Sequence, residues 1–200
     1  ILADTPLWPL SFHNIKTRAW LAYDQTDYDA MYEILEQGLT LGQQQADPLT
    51  LFKLHILYSI LAKKAADDHK KYAHLNEAQA LLLKHKLADS NLAVVYYHFA
   101  LFTRDNTKAV PYLERILELP RSAQNYWIQD IAFERLINHH IEQKEFTRAH
   151  GRLENKLSSS IKLLLKAKVY QAQSKPDIAL PLLQKAFELA RLEYNNHTGL

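Results

Sequence analysis

His139, His140, Glu142 and His150 lie close together in one short stretch. Imidazole and carboxylate side chains are the usual ligands of a catalytic zinc ion. Their spacing speaks against a shared ion, because neighbours on a helix project about 100° apart and useful helical pairs sit three or four residues apart. Asp67-Asp68-His69, flanked by Lys63-Lys64 and Lys70-Lys71, reads as a charged helix end and loop. Ser158-Ser159-Ser160 reads as a turn with an N-cap before Ile161. No P-loop, dinucleotide fingerprint or nucleophile elbow is present. The sequence therefore assigns no catalytic residue, no metal and no cofactor.

The elements that must carry these residues follow from composition and periodicity. The 200 residues are 48% apolar and 23% charged, which fits a folded domain or one repeat array. Four glycines are too few for the many tight turns of a sandwich or barrel. No apolar run approaches the ~20 residues that span a bilayer. The absence of cysteine excludes disulfides and thiolate metal sites and leaves the redox compartment open, so a cytoplasmic or an extracytoplasmic location is equally compatible. Residues 1–50 carry seven Asp/Glu against Lys16 and Arg18, although the whole chain is +2. Neither half has the dense basic stripe of a nucleic-acid surface. The chain begins Ile1-Leu2-Ala3-Asp4 without an initiator Met, which predicts a piece of a longer protein.

Residues 108–119, KAVPYLERILEL, align with 178–189, IALPLLQKAFEL, placing Ala109 over Ala179, Pro111 over Pro181 and Leu113 over Leu183. The offset is 70 residues, two units of about 35, the mark of a helical-hairpin solenoid. Similar segments centre on Ala149, Ala78 and Ala30 or Met31, at irregular spacings. Helical periodicity predicts five hairpins: 14–25 with 27–42, 48–68 with 72–88, 91–103 with 106–119, 123–143 with 145–157, and 160–173 with 176–194. Breakers separate them at Asp47-Pro48, Asp89-Ser90-Asn91, Asp105-Asn106, Pro120 and Ser174-Lys175-Pro176. Pro176 suits a first helical turn, whereas Pro111 and Pro181 each remove one helical hydrogen bond and should bend their helices. Residues 1–13, with Trp8 between Pro6 and Pro9, read as an extended segment or junction, 14–194 as one repeat domain, and 195–200 as a tail. Trp20 is expected in the core, and Trp127 at the edge of a groove or on the preceding hairpin.

This pattern resembles the tetratricopeptide repeat (TPR) family, whose paired helices carry small and large residues in a set order. Ala167, Tyr170, Ala179, Leu183 and Ala186 of the last hairpin match it best. The fourth hairpin has Ile137, His140, Ala149, Leu153 and Lys156, without the two small flanking residues and with His140 where the repeat buries a ring. In the first, Gly38 takes a late small position. The second matches least, and its first helix looks over-long.

The resemblance implies an all-α fold, a right-handed superhelix (α-solenoid) of about five hairpins, whose first helices line a concave protein- or peptide-binding face. Carried over residue by residue, the groove comprises His98 and Leu101, then Glu134, Arg135, Asn138 and Ile141, then Leu164, Lys168 and Gln171. Asn138 falls where family members hydrogen-bond a ligand backbone, and Lys168 with Arg135 supplies positive charge. The implied function is a non-catalytic binding or sensor module, the regulatory domain of a larger bacterial regulator such as a transcriptional one. Its partners would be a protein or peptide segment or another domain of the parent chain, with a homodimer as a further option, and neither nucleic acid nor a membrane span within this region. The alternatives are a helical-repeat RNA-binding protein, which weak charge and irregular repeat length disfavour, and an all-helical enzyme, which lacks a convergent polar pocket.

Overall fold

A computed structural model describes residues 12–103, 105–153 and 159–198, with side chains at all of these except 159 and 193–198. Trp8 and Ser158 lie outside the described residues. Within them every regular element is a helix, so the protein is all-α: α1 Phe12–Asp24, α2 Tyr28–Gln44, α3 Pro48–Lys64, α4 Asp68–His85, α5 Asp89–Phe102, α6 Asn106–Glu118, α7 Tyr126–Glu142, α8 Phe146–Arg152, α9 Ser159–Ala172 and α10 Pro176–Thr198. No described helix is long and apolar enough to cross a membrane. The chain divides after Phe102 into two compact units. The division falls between α5 and α6, which the sequence pairs in its third hairpin.

One turn recurs. Thr26, Ala46, Ala66, Lys144 and Ser174 all have φ between 51° and 61°, a left-handed conformation that a side chain disfavours. In each, the next residue returns its N–H to a carbonyl five residues back: Asp27 to Ala22, Asp47 to Gly42, Asp67 to Ala62, Glu145 to His140 and Lys175 to Tyr170. This is the backbone pattern that closes a helix C-terminus. At Asp27, Asp47 and Asp67 the same residue then caps the following helix, its carboxylate accepting N–H bonds from Ala30, from Leu49 and Thr50, and from Lys70. One short segment thus ends a helix and begins the next.

In the N-terminal unit these turns fall every 20 residues, at 26, 46 and 66, and Lys86 ends α4 in the same conformation. A hairpin here is therefore 40 residues long. The 48–68 helix expected from periodicity stops at Lys64, because Ala66 turns left-handed and Asp67 caps α4. The over-long second hairpin is thus two helices of nearly equal length. Likewise α1 starts at Phe12, two residues earlier than the periodicity suggests.

The core of this unit is built from Ile15, Ala19 and Ala22 of α1, Met31, Leu35 and Leu39 of α2, and Leu54, Leu57, Tyr58, Leu61 and Ala62 of α3. Trp20 packs at its margin, edge-on to Tyr23. Two glycines allow the close approach. A Cβ on Gly38 would lie 3.0 Å from the Ile15 side chain, and one on Gly42 2.8 Å from Leu51. Both α1 and α3 therefore press on α2 where it has no side chain.

In the C-terminal unit Phe133 and Ile137 of α7 meet Ala149, Leu153, Leu165 and Val169. Ala167 of α9 and Ala179 and Ala186 of α10 are buried in the last hairpin, where small residues let helices come close. Pro111 and Pro181 each occupy the sixth position of their helix, α6 and α10, and both helices continue through them. Pro176 begins α10, where its missing N–H leaves no helical bond unmade. The turn into α7 is held by amides rather than by a left-handed residue. Asn125, fully buried, accepts the Ser122 N–H and donates to the Pro120 carbonyl. Gln129 donates to the last carbonyls of α6, at Ile116 (3.2 Å) and Leu119 (2.7 Å). These bonds set the start of α7 at Tyr126 rather than 123.

Ala66→Gly should relieve the left-handed strain and raise stability by about 1 kcal/mol, several degrees in melting temperature for a domain of this size. Gln129→Leu keeps the volume but strips the Leu119 carbonyl of its side-chain donor and leaves the Ile116 carbonyl only the Leu119 N–H. Its chemical-denaturation midpoint should fall by the equivalent of ~1–3 kcal/mol.

Candidate functional site

The residues expected to form a binding face divide between the two units. In the C-terminal unit α7 and α9 pack on each other, and they bring Glu134 and Lys168 together. The Lys168 ammonium donates to Glu134 Oε1 at 2.8 Å, with both side chains about two-fifths exposed. The pair is worth at most about 1 kcal/mol at such exposure, but it pins the charge pattern of this face. Lys168 is therefore partly neutralised within its own unit. Arg135 and Asn138 are half-buried on α7, with Asn138 one turn beyond Glu134, and Gln171 is exposed on α9. Ile141 is half-buried beside the core, and Leu164 is exposed.

His98 is placed in the N-terminal unit, on α5. Its ring packs against Tyr97 and Phe102, with centroids at 5.5 and 5.4 Å. Nδ1 is buried without a hydrogen-bond partner among the described residues. Burial, and then the nearby Lys63 ammonium, lower its pKa to about 4. It is a neutral, ring-packed imidazole at ordinary pH. Leu101 on the same helix is 40% exposed.

The histidines that suggested metal chemistry take separate environments. His140 is buried, and its Nδ1 sits 2.8 Å from Glu145 Oε2, tying the end of α7 to the start of α8. That hydrogen bond, with Arg148 behind it, holds Glu145 below the usual carboxylate range. His139 turns its ring 56° from that of His140, and His150 lies against the Tyr170 ring at 4.8 Å. Among the described residues no group of three or more His, Cys, Asp or Glu is arranged to hold a metal ion.

A more concentrated polar cluster, unforeseen from the sequence, lies between α2, α3 and α4. Tyr32 stacks on Tyr58 (5.5 Å), and Tyr58 stacks on His74 (3.5 Å). His74 and His55 share a contact of 2.9 Å between their Nδ1 atoms. One of those nitrogens must donate and the other accept, so at least one ring is neutral. Polar groups close the ends of the stack. Tyr58 donates to Glu36 at 3.0 Å, Tyr32 makes a long bond to Asp67 at 3.4 Å, and the Lys70 ammonium lies 3.5 Å above the Tyr32 ring. Glu77 also faces His55. Burial, reinforced by Asp67, raises the Tyr32 phenol to about 12. Burial and then the other imidazole lower His74 to about 4, and burial lowers His55 as well.

The sequence did carry a signal for this cluster. Tyr32/Glu36, His55/Tyr58 and Lys70/His74 are helical i,i+3 or i,i+4 pairs of polar and aromatic groups. Only the packing of three helices makes them one stack.

Comparison with family models, with curated proteins and with solved structures finds no match to this chain.

The imidazoles make stability depend on pH. His74 and His98 have folded pKa values below the ordinary 6.5, so the unfolded chain binds more protons between about 6.5 and 4. Their contribution is complete above 6.5 and is lost as pH falls toward 4. Thermal melts should show falling stability from pH 7 to pH 4.5. His74→Phe, which keeps the stack on Tyr58 but removes a titrating group, should flatten that slope.

Proposed function

We propose that this protein is a non-catalytic helical-repeat module, TPR-like in its later hairpins, that binds an extended protein or peptide segment along its first helices. One observation carries the reading: α1 packs directly on α3 in the N-terminal unit and α7 on α9 in the C-terminal one, whereas α2 and α4 make no comparable contact; α5 packs on α4 instead. Stacked hairpins whose first helices are the closer set curve toward those helices, and such concave faces are the binding surfaces of helical solenoids. Ala167, Ala179 and Ala186, buried where the TPR pattern asks for small residues, support the likeness in the last hairpin. The 40-residue hairpin of the N-terminal unit is longer than the 34-residue TPR unit, so the likeness is proposed for the later repeats.

On the α7–α9 face the Glu134–Lys168 pair offers both a donor and an acceptor to a peptide backbone, with Arg135, Asn138 and Gln171 beside it. Selection of extended peptides from a displayed random library should yield ligands for the purified chain. Asn138→Ala should then weaken binding several-fold, the loss of one net hydrogen bond of roughly 0.5–1.5 kcal/mol. Arg135→Glu should weaken acidic ligands more, in a salt-dependent way. Lys185→Glu, on exposed α10, serves as the control. Ligands that respond to Lys185→Glu and ignore α7 and α9 would place the site elsewhere.

A further inference from the structure

Helix α10 packs on α9 and makes no comparable contact with any other helix among the described residues. Its buried side carries Ala179 and Ala186. A second apolar stripe runs along it: Leu180, Leu183, Phe187 and Ala190. The intervals of three, four and three residues are those of a heptad seam, with Leu180 and Phe187 at one core position and Leu183 and Ala190 at the other. Leu180 is 58% exposed and Phe187 73% exposed. Ile161 and Leu164 of α9 border the stripe, and with Leu183, Ala186, Phe187 and Ala190 they enclose an apolar groove of about 390 Å³. Large apolar side chains in such a row are the anchors of a helix–helix contact.

The polar residues beside the stripe decide what covers it. One flanking position of the heptad, the one that follows Leu183 and Ala190, is taken in turn by Asp177, Gln184 and Arg191, all exposed. These are an acid, a neutral amide and a base, spaced seven apart. A second α10 laid antiparallel sets Leu180 and Phe187 of one copy among Ala190 and Leu183 of the other. The same two-fold operation places Asp177 against Arg191 of the second copy, Arg191 against its Asp177, and Gln184 beside its own symmetry mate. A parallel pair would instead direct these positions toward the Ala179 and Ala186 side, which is buried against α9. The pattern is self-complementary in one direction only, as an isologous interface requires.

We infer that this face is a homodimer interface in which α10 of two copies pair antiparallel about Gln184. It draws on α10 and on Leu164 of α9 rather than on Glu134, Arg135, Asn138, Lys168 and Gln171, and it stands whether or not those residues bind a peptide. Sedimentation-velocity and light-scattering measurements on the 200-residue chain should show a concentration-dependent dimer in the micromolar range. Phe187→Glu should weaken self-association by roughly 30-fold or more, with helix content and melting temperature of the monomer unchanged, since the side chain is already exposed. Asp177→Arg and Arg191→Asp should each weaken it several-fold, and the double exchange should restore it. A chain that stays monomeric at all concentrations, or a Phe187→Glu variant that dimerises like the parent, overturns the inference. So does a double exchange that recovers nothing, because it removes the antiparallel register.

Discussion

The whole arrangement depends on a turn that ends one helix and begins another within a few residues. A non-glycine residue enters the left-handed region, and the next N–H returns to the helix just finished. At Asp27, Asp47 and Asp67 the same residue also caps the helix that follows. Backbone groups at helix ends need partners, and a tight connection offers few. Folding back on both helices at once satisfies them with the smallest number of residues. In the N-terminal unit this recurs every 20 residues, and equal helices then stack with their apolar faces in register.

Packing follows from that spacing. A helical pair buries only part of its apolar surface, so neighbours must supply the rest. Contact distance is set by the smallest residues: Gly38 and Gly42 on α2 admit Ile15 and Leu51, and Ala167, Ala179 and Ala186 do the same in the last hairpin. Where the connection lacks a left-handed residue, before α7, buried Asn125 and Gln129 provide the missing hydrogen bonds with their side chains. Both solutions supply partners for backbone groups that a helix end leaves without one.

The titratable groups show how burial decides chemistry. For His55, His74 and His98 burial is the leading influence and lowers the pKa, outweighing any nearby carboxylate. His140 instead bonds to Glu145 and fastens α7 to α8. Of the imidazoles that stand close together in the sequence, His140 bonds to Glu145 while His150 lies against Tyr170. The two surfaces proposed for recognition, the polar face of α7 and α9 and the apolar stripe of α10, differ in chemistry and in the kind of partner each would take.

By itself the sequence determined the helical character and most of the hairpin boundaries. Apolar residues at helical spacing, Asp before a helix and Pro in its first turn act locally, and local preferences survive without knowledge of neighbours. Pro48, Pro176, Asp47 and the alanines of the last hairpin were legible for that reason. The turn at Ala66 was not, because nothing about an alanine announces a left-handed backbone. Its conformation is imposed by the two helices it joins, so the 48–68 segment read as one helix. The Tyr32–Tyr58–His74–His55 stack was also hidden, although each helix carried its pair at the right interval. Which pairs meet depends on how three helices pack, and no single helix specifies that. Lys168 was legible in the sequence as a cation, but not its partner Glu134, which α7 brings to 2.8 Å from it. Charges and rings are found by type in a chain, but their partners lie across helices, and only the tertiary structure decides those distances.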